Sequence, residues 1–459
     1  MYQNYKEVNN IMKFGFVNKD NMSLLTDLYE LTMAQVYFEE NMNKTAVFDF
    51  YTRPDKRRPY LVSAGLEQLL YYLENLRFSE ENIDFLKHTG KFSDDFLDYL
   101  KEFKFTGNVY AIDEGEIFFP NEPVVQIEAP LIEAQIIETF LINTLQISIL
   151  VATKALRCYS VAKGTGLVDF GLRRAHGTDA GMKAARSSFI GGFIGTSNVL
   201  AGKEFGIPIY GTMAHSFILA FGDEEKAFET FAKYYPDNSI FLVDTFNTIE
   251  GVKKAIKVVK KLGLKNFKGV RLDSGDILSL SKETRKLLDE AGLKEAKIFV
   301  SGGINEYKIK QLLEAGAPID AWGVGTELVV SADIPYLDCA YKLVEYNGEP
   351  KMKLSSKKIT YPGKKQIFRK YETGIIKKDT IALQEENLEG EKLLKLYIKD
   401  GKIVKDLPSL EEIREKSIKN LNKLPENIKD INSKEIFLPE ISEKLEKMIN
   451  QIIGKLKGE

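Results

Sequence analysis

The chain has 459 residues, 44% of them hydrophobic, so it can bury the cores of two or three domains, or of one large barrel with additions, and is not intrinsically disordered. Its 64 Lys and Arg residues balance 66 Asp and Glu residues, which excludes the overall positive field of a typical nucleic-acid-binding protein but not a local basic patch. Two cysteines and three histidines exclude a disulfide scaffold and argue against a metal site built from several histidines.

The first predicted region, residues 1–130, combines helices with short antiparallel strands. Residues 1–20 are polar and lack the apolar core of a signal peptide, so we expect a cytoplasmic protein. Apolar residues at helical spacing predict a helix over 24–42, alternation predicts a strand over 45–51, and further helices follow between 63 and 103. Short apolar runs separated by Gly107, Gly115 and Pro120 then predict a small antiparallel sheet over 105–130.

The longest apolar stretch covers residues 134–155. A membrane-spanning helix needs about 20 predominantly apolar residues. Here Glu138, Asn143, Gln146 and Lys154 interrupt the stretch. We therefore predict the buried helix of a soluble protein and no membrane partner.

Residues 131–345 are predicted to form an α/β barrel. From about residue 165, short apolar runs end in polar or glycine-rich turns and begin about 24 to 40 residues apart. Helical patterns ending in glycine lie between the later runs, and this alternation requires parallel strands with crossover helices. The periodicity fits a TIM-like barrel, complete or incomplete, and a doubly wound open sheet is the alternative that periodicity alone does not separate from it. The runs are 167–171, 207–211, 240–244, 269–273, 297–303 and 321–325.

The C-terminal region, residues 346–459, returns to sheet-like and then helical patterns. Lysine and glycine turns over 351–369 and a second pattern over 391–407 indicate sheet-like structure, the latter a hairpin. Charged amphipathic helices are predicted over 409–424 and 441–456.

Polar residues follow all six predicted strands of the barrel region. Ligands of parallel α/β proteins bind beyond the carboxyl ends of the strands, so these residues are the candidate site. The two last groups contain glycine loops, whose backbone N–H groups suit a phosphate. In strand order, the groups are Arg173, Arg174 and His176; Gly211, Thr212, His215 and Ser216; Asp244 and Thr245; Arg271, Asp273, Ser274, Gly275 and Asp276; Ser301, Gly302 and Gly303; and Gly323, Gly325 and Thr326.

Each of these features also has a plainer explanation. Asp273 or Ser274 can cap the next helix, and glycine pairs often form only tight turns. His176 can be a loop histidine without a role, and His88 lies in a charged helical pattern. His215 differs because small residues surround it and leave room for a ligand. The recurrence at six successive strand ends favours a functional site over six coincidences.

Six segments of the chain resemble nicotinate phosphoribosyltransferase in that family's order and spacing. They are residues 25–34, 169–177, 195–199, 211–216, 271–275 and 301–303. The resemblance runs from about residue 24 to 345 and continues more weakly over 353–368. It implies the type II phosphoribosyltransferase fold, in which an irregular TIM-like α/β barrel joins an α+β sandwich-like domain formed from both chain ends. The C-terminal segment then returns to the sandwich domain and ends in helices.

The resemblance also implies an activity in NAD biosynthesis. Such an enzyme forms nicotinate mononucleotide and pyrophosphate from nicotinate and phosphoribosyl pyrophosphate, and it couples ATP hydrolysis to this reaction through a phosphohistidine, here His215. It is a ligase by its ATP coupling and a glycosyltransferase by its chemistry. Mg²⁺ would bind the leaving pyrophosphate. The chain contains no Walker phosphate loop, so ATP is expected in the same phosphate-lined cleft as the ribosyl donor.

Roles follow from the resemblance residue by residue. Phe170 would stack on nicotinate, and Tyr29 would reach the other face of the ring from the partner subunit of a homodimer. Arg271 is the expected cation at the pyridine ring. Asp244 and Asp273 would orient ribose hydroxyls, Mg²⁺ or the ring of His215. Arg173 and Arg174 would serve the carboxylate of nicotinate or the pyrophosphate. The residues expected at the ribosyl phosphate and pyrophosphate are Arg174, Thr212, Ser301, Gly302, Gly303, Gly323, Gly325, Thr326 and Lys342.

Ser197 distinguishes the close relatives. Nicotinamide-using relatives carry an aspartate at the matching place, which would repel a carboxylate, whereas Ser197 is neutral and can donate a hydrogen bond. A helix cap is the plainer explanation. We expect nicotinate to be preferred over nicotinamide. The alternatives are a nicotinamide or quinolinate phosphoribosyltransferase, an unrelated barrel enzyme acting on a sugar phosphate, and a non-catalytic phosphate-ligand sensor on the same fold.

Overall fold

The computed structural model of the chain describes residues 16–353 and 360–457, so most of the polar N-terminal segment predicted over 1–20 lies outside the described residues. The first part contains α1 (Leu28–Glu39), β1 (Thr45–Thr52), β2 (Leu61–Val62), α2 (Leu66–Asn75), α3 (Glu80–His88), α4 (Asp94–Lys101), β3 (Asn108–Ile112), β4 (Ile117–Phe118) and β5 (Pro123–Pro130). The middle part contains α5 (Leu131–Ile136), α6 (Glu138–Val161), β6 (Gly166–Asp169), α7 (Thr178–Ile190), β7 (Gly195–Thr196), α8 (Val199–Phe205), α9 (His215–Phe221), α10 (Glu224–Tyr234), β8 (Ile240–Leu242), α11 (Thr248–Leu262), β9 (Gly269–Leu272), α12 (Ile277–Glu290), β10 (Lys297–Val300), α13 (Glu306–Glu314), β11 (Ala321–Val324) and α14 (Thr326–Val329). The last part contains β12 (Cys339–Tyr346), β13 (Glu349–Pro350), β14 (Lys365–Glu372), β15 (Ile375–Leu383), β16 (Glu391–Lys392), β17 (Leu394–Lys399), β18 (Lys402–Ile403), α15 (Leu410–Leu421), α16 (Glu426–Lys429), β19 (Glu440–Ile441) and α17 (Glu443–Lys457).

A seven-stranded sheet is built from both ends of the chain. Its order is β13-β12-β1-β5-β3-β17-β18. The central strand β1 is buried at seven of its eight positions and pairs antiparallel with β5 on one side and β12 on the other. The chain returns to this sheet at Cys339, before the boundary predicted at residue 345. The pairing of β1 with β12 and of β3 with β17 shows that strands from the first and the last part of the chain lie side by side in this sheet.

The parallel sheet has the topology of a barrel. Its order is β7-β6-β11-β10-β9-β8, so the first strand of the region, β6, pairs with the last, β11. Pairing of first with last strand closes a barrel, whereas a doubly wound sheet would leave them apart. β7 and β8 lie at the two ends of this strand order and are not hydrogen-bonded neighbours in it, so the barrel is irregular.

Five of the six predicted barrel strands are confirmed as β6, β8, β9, β10 and β11. The prediction for 207–211 was wrong in extent, because only Ile209 pairs there, in a single bridge to Thr196. Pro208 lacks an N–H to donate and limits strand pairing at this point. The two-residue strand β7 was not predicted, since two residues show no periodicity.

Helix α6 runs through the centre of the molecule. It is long and apolar enough to cross a membrane by composition, but 72% of its apolar window is buried within the protein, as expected of a core helix. Lys154 on this helix is also buried, and its Nζ lies 2.6 Å from Glu306 Oε2 and 2.8 Å from Asp333 Oδ1. Arg157 Nε lies 3.1 Å from Glu306 Oε1, and Arg58 pairs with Asp333 at 2.7 Å. These five side chains form what we call the inner ion-pair cluster.

The C-terminal region adds a third sheet and the last helices. The sheet has the order β16-β14-β15-β19, and α17 packs against β15. The hairpin predicted over 391–407 is confirmed by the pairing of β17 with β18, and α15 and α17 confirm the two amphipathic helices. Residues 354–359, within the stretch predicted to be sheet-like over 351–369, lie outside the described residues.

Candidate active site

Hydrogen bonds and one cation–π contact join side chains at the ends of the parallel strands into one group, the strand-end cluster. The members are Phe170, Thr212, His215, Asp244, Arg271, Asp273, Ser274 and Ser301. They come from five separate segments of the sequence, and the sheet brings them together. The structure therefore places these residues together at one edge of the sheet, where the sequence predicts a shared polar site.

Arg271, on β9, is the centre of the cluster. Its Nε donates to Ser301 Oγ at 2.7 Å, one terminal nitrogen donates to Thr212 Oγ1 at 2.9 Å, and the other donates to Asp273 Oδ1 at 2.8 Å. The guanidinium lies over the ring of Phe170, 5.5 Å from its centroid. The side chain is 13% exposed, so it presents a planar cation in a fixed orientation to the cleft.

Asp273 is held in its ionised form by this network. Burial opposes ionisation, but hydrogen bonds from Ser301 and Arg271 outweigh it and hold the pKa of Asp273 below its usual range. The plainer explanation, a helix cap, does not apply, because Asp276 caps α12 by accepting a bond from the N–H of Ser279. Asp273 therefore belongs to the cluster and not to the helix start.

His215 is the first residue of α9 and contacts a buried carboxylate. Its Nε2 lies 3.2 Å from Asp244 Oδ1, and the side chain of Asp244 is 1% exposed against 40% for His215. The second oxygen of Asp244 accepts from the backbone N–H of Asp273 at 3.0 Å and from Ser274 Oγ at 2.6 Å. The carboxylate is thus fixed by three donors, while the imidazole remains accessible from the cleft.

Phe170, directly after β6, provides an aromatic face. It stacks on Phe299 with ring centroids 5.8 Å apart and an interplanar angle of 16°. Gly323 lies against the same ring, and a Cβ at this position would come within 2.4 Å of Phe170 Cδ2. The structure therefore places Gly323 as a support of the Phe170 ring, a role that the glycine pattern alone did not indicate.

The remaining glycine loops are open to the cleft side of the strands. Gly302 and Gly303 are exposed and have φ of +86° and +60°. At Gly302 a Cβ would lie 2.0 Å from the carbonyl oxygen of Asp273, so a side chain there is excluded. Gly325 precedes α14, and Thr326 is exposed at its first position.

Ser197 and the two arginines after β6 are available to a ligand. Asn198, and not Ser197, caps α8 by accepting from the N–H of Ala201 at 3.2 Å. Arg173 and Arg174 are exposed in a 3₁₀ turn over Leu172–Arg174. Their guanidinium groups make no hydrogen bond or ion pair with any residue that the structure describes.

Tyr29 and Lys342 both lie beside Glu138. Tyr29 on α1 is 46% exposed, and burial together with Glu138, Glu30 and Asp27 raises the pKa of its hydroxyl. Lys342 on β12 lies 3.8 Å from Glu138 Oε1. Within the described part of the chain, neither residue bonds to the strand-end cluster.

Sequence reasoning did not single out several residues that shape this site. Asp169, Thr196 and Phe299 are buried behind the predicted contacts, and Glu138 was taken only as an interruption of an apolar stretch. The sequence signal that could have found Asp169 is an acidic residue at the last position of an otherwise apolar strand. No group of three or more His, Cys, Asp or Glu side chains suited to a metal ion occurs in residues 16–353 and 360–457.

A barrel with an arginine, two carboxylates and open glycine loops at its strand ends suits an enzyme that binds phosphorylated, anionic ligands. Family models cover most of the chain. The nicotinate phosphoribosyltransferase N-terminal domain matches residues 24–146, the family's main domain matches 165–380, and its C-terminal domain matches 386–449. The chain belongs to the nicotinate phosphoribosyltransferase family.

Individual relatives agree with the family models. A nicotinate phosphoribosyltransferase of Mycobacterium tuberculosis is 47% identical over 412 residues, 89% of each chain, and that of Bacillus subtilis is 40% identical over 84% of this chain and 81% of its own. The human nicotinic acid phosphoribosyltransferase structure superimposes with a TM-score of 0.83 at 27% identity, over 93% of this chain and 99% of that one. A Pyrococcus furiosus structure described as a nicotinate-nucleotide pyrophosphorylase gives 0.74 at 31% identity, over 90% and 99%.

The predicted family and the type II phosphoribosyltransferase fold are confirmed by these matches. The chain is therefore an enzyme of pyridine nucleotide biosynthesis that transfers a phosphoribosyl group to nicotinate.

Proposed function

We propose that the strand-end cluster is where this transfer occurs, and that His215 couples it to ATP hydrolysis. The observation that carries the proposal is the continuous chain of contacts from His215 through Asp244 and Asp273 to Arg271. It joins a phosphorylatable imidazole to the cation and the aromatic face that suit nicotinate. A ligand sensor would need no such imidazole.

Nicotinate is a flat anion and requires an aromatic face and a cation. The Phe170 ring supplies the face, and the guanidinium of Arg271 lies above that face. Arg173 and Arg174 follow β6 a few residues after Phe170, are unpaired among the described residues, and suit the carboxylate or pyrophosphate. Ser197 can donate to the carboxylate, whereas an aspartate there would repel it. These features favour nicotinate over nicotinamide as the acceptor.

Transfer breaks the bond between C1 of the ribose and the pyrophosphate oxygen and forms a bond from C1 to the pyridine nitrogen. The leaving pyrophosphate keeps the electron pair, and positive charge develops on the sugar. Such a step depends on positioning and charge stabilisation more than on covalent chemistry. The ionised Asp273 suits the ribose hydroxyls, and Gly302, Gly303, Gly325 and Thr326 offer backbone and hydroxyl donors to phosphate.

A Mg²⁺ ion fits this donor set only in part. Both oxygens of Asp244 and Oδ1 of Asp273 accept hydrogen bonds from the protein, and Asp273 Oδ2 makes no such bond with the described residues. Mg²⁺ commonly binds one or two carboxylates together with substrate phosphates. Asp273 would hold the ion beside the donor's pyrophosphate, where its charge stabilises the leaving group.

ATP would phosphorylate His215. A carboxylate can only accept a hydrogen bond, so Nε2 carries the proton in its contact with Asp244 and the lone pair lies on Nδ1. Nδ1 attacks the γ-phosphorus, the bond to the ADP oxygen breaks, and water later cleaves the N–P bond. The cleft is shared with the ribosyl donor, so phosphorylation precedes donor binding.

The active enzyme is proposed to be a cytoplasmic homodimer. Tyr29 and Lys342 both lie beside Glu138. In a dimer, Tyr29 of one subunit would cover the free face of nicotinate in the other, and Lys342 would serve a phosphate group.

Pyrophosphate release from nicotinate and phosphoribosyl pyrophosphate, with and without ATP, tests the proposal. We expect ATP to stimulate the wild-type enzyme, His215→Ala to retain slow transfer without stimulation, and nicotinamide to be a poor acceptor. His88→Ala, on α3, is the matched histidine control and should keep full stimulation. Unchanged ATP coupling in His215→Ala would refute the role of His215, and efficient use of nicotinamide would refute the role of Ser197.

A further inference from the structure

One buried carboxylate joins the two segments that carry Phe170 and Ser197. Asp169, the last residue of β6, is 1% exposed. Its Oδ1 accepts from the backbone N–H of Gly171 at 2.8 Å, and its Oδ2 accepts from the hydroxyl of Thr196 at 2.7 Å. Thr196 ends β7 directly opposite Asp169 in the parallel pairing of the two strands. The carboxylate therefore bridges the points at which both strands end.

The same two residues direct the chain as it leaves β7. The N–H of Ser197 donates to the carbonyl oxygen of Asp169 at 2.8 Å. The N–H of Asn198 donates to Thr196 Oγ1 at 3.0 Å, and the side chain of Asn198 then caps α8. The position of the Ser197 hydroxyl thus depends on both Asp169 and Thr196.

Phe170 is constrained from the other side. Its N–H donates to the carbonyl oxygen of Val324 at 2.9 Å, and its ring packs on Gly323 and Phe299. The chain after Phe170 is turned by the bond from Gly171 to Asp169. Without the Asp169 carboxylate, the Phe170 ring would stay packed on Gly323 and Phe299. The segments that follow β6 and β7 would then be free to separate.

We propose that Asp169 and Thr196 are positioning residues that set the separation between the Phe170 ring and the Ser197 hydroxyl. This separation decides whether the pyridine ring and the carboxylate of nicotinate can be held at the same time. The inference rests on the nicotinate-binding roles of Phe170 and Ser197 proposed above. A carboxylate suits the position because it accepts from both donors, whereas an amide would direct its NH₂ group at one of them.

Thr196→Val tests the inference because it removes the hydroxyl and keeps the shape. We expect the KM for nicotinate to rise about tenfold, as for loss of a buried hydrogen bond. The KM for phosphoribosyl pyrophosphate should remain within about twofold of wild type, since the change acts on the nicotinate contacts. Thr196→Ser keeps the hydroxyl and should restore the KM for nicotinate. If Thr196→Val does not fold, Asp169→Asn should show the same separation of the two KM values.

A matched control lies outside the site. The hydroxyl of Thr106 donates to the carboxylate of the buried Glu133 at 2.8 Å, beside the seven-stranded sheet. Thr106→Val should lower the midpoint of urea unfolding and leave both KM values unchanged. If Thr196→Val behaves like this control, or raises both KM values equally, the positioning role is overturned.

Phe170→Ala separates failure of this inference from failure of the proposed site. A raised KM for nicotinate in Phe170→Ala, without one in Thr196→Val, overturns the positioning role alone. An unchanged KM in Phe170→Ala overturns the proposed nicotinate site and the positioning role with it.

Discussion

The strand-end cluster and the inner ion-pair cluster both concentrate charge, yet they differ in exposure. In the inner ion-pair cluster, Arg58, Lys154, Arg157 and Glu306 are at most 1% exposed and each lies within 3.1 Å of an opposite charge, while Asp333 at its edge is 26% exposed. In the strand-end cluster, Asp273 is 29% and His215 is 40% exposed. Charged side chains that are buried and mutually paired are shielded from a ligand. Charged side chains that are held in place but partly exposed remain accessible to a ligand.

The inner ion-pair cluster nevertheless supports the site from behind. Glu306 is the first residue of α13, which follows the open loop of Gly302 and Gly303. Its pairs with Lys154 and Arg157 tie this helix to the core helix α6. The comparison therefore separates two uses of charge. One joins elements of the fold, and the other is presented to substrate.

The largest effect is expected from Glu306→Gln, which leaves Lys154 and Arg157 facing a neutral side chain. Breaking a buried ion pair by removing one partner destabilises by about 3 to 5 kcal/mol. Urea unfolding should show this loss, while the KM for nicotinate of the folded enzyme stays near the wild-type value. A free energy of unfolding within about 1 kcal/mol of wild type would contradict the stabilising role of the inner ion-pair cluster, and with it the difference between the two clusters.

Arg271→Lys should give the opposite pattern. A lysine cannot reproduce the fork that bonds Ser301, Thr212 and Asp273 together, so kcat/KM for nicotinate should fall about 100-fold. The loss of stability should be smaller than for Glu306→Gln. Arg285→Lys is the matched control, because Arg285 also makes several hydrogen bonds, to Asp289, Ala296 and Leu293, but lies on α12. Equal effects on kcat/KM in both variants would contradict a binding role.

The smallest effect concerns acid stability. Burial opposes ionisation of Asp333, but Arg58 and Lys154 outweigh it and hold its pKa well below the usual range. A depressed pKa stabilises the fold above the unfolded value of about 3.9, and this contribution is lost as the pH falls through the folded value. Asp333→Asn should therefore be less stable by about 1 kcal/mol at pH 7 and lose stability less steeply below pH 4. Parallel wild-type and variant curves in acid urea titrations would count against this.

The sequence predicted the position of the site better than its internal bonding. Strand ends could be located because apolar runs stop at polar residues, and parallel topology then places those ends together. The sequence offered Asp273 or Ser274 as a possible cap of the next helix, whereas Asp276 caps α12. Capping depends on backbone direction at one residue, which a local pattern does not specify.

The sequence also did not indicate which charged side chains are buried. Lys154 and Glu138 were understood as interruptions of an apolar helix, because hydrophobic periodicity records no partners. Their partners are Glu306, Asp333 and Lys342, which lie more than a hundred residues away in the chain. Only the folded arrangement shows that these charges pair, and hence that they need not be exposed.

The seven-stranded sheet carries a consequence for synthesis on the ribosome. β1 is complete at Thr52, but its partner β12 begins at Cys339, roughly 290 residues later. At about 5 to 20 residues per second, roughly 15 to 60 s pass before the partner emerges. During that interval the outer edge of β1, a strand otherwise destined for the core, lacks its final neighbour and can pair with another chain. The nascent protein is thus most open to chaperones, and to aggregation, until translation reaches its last quarter.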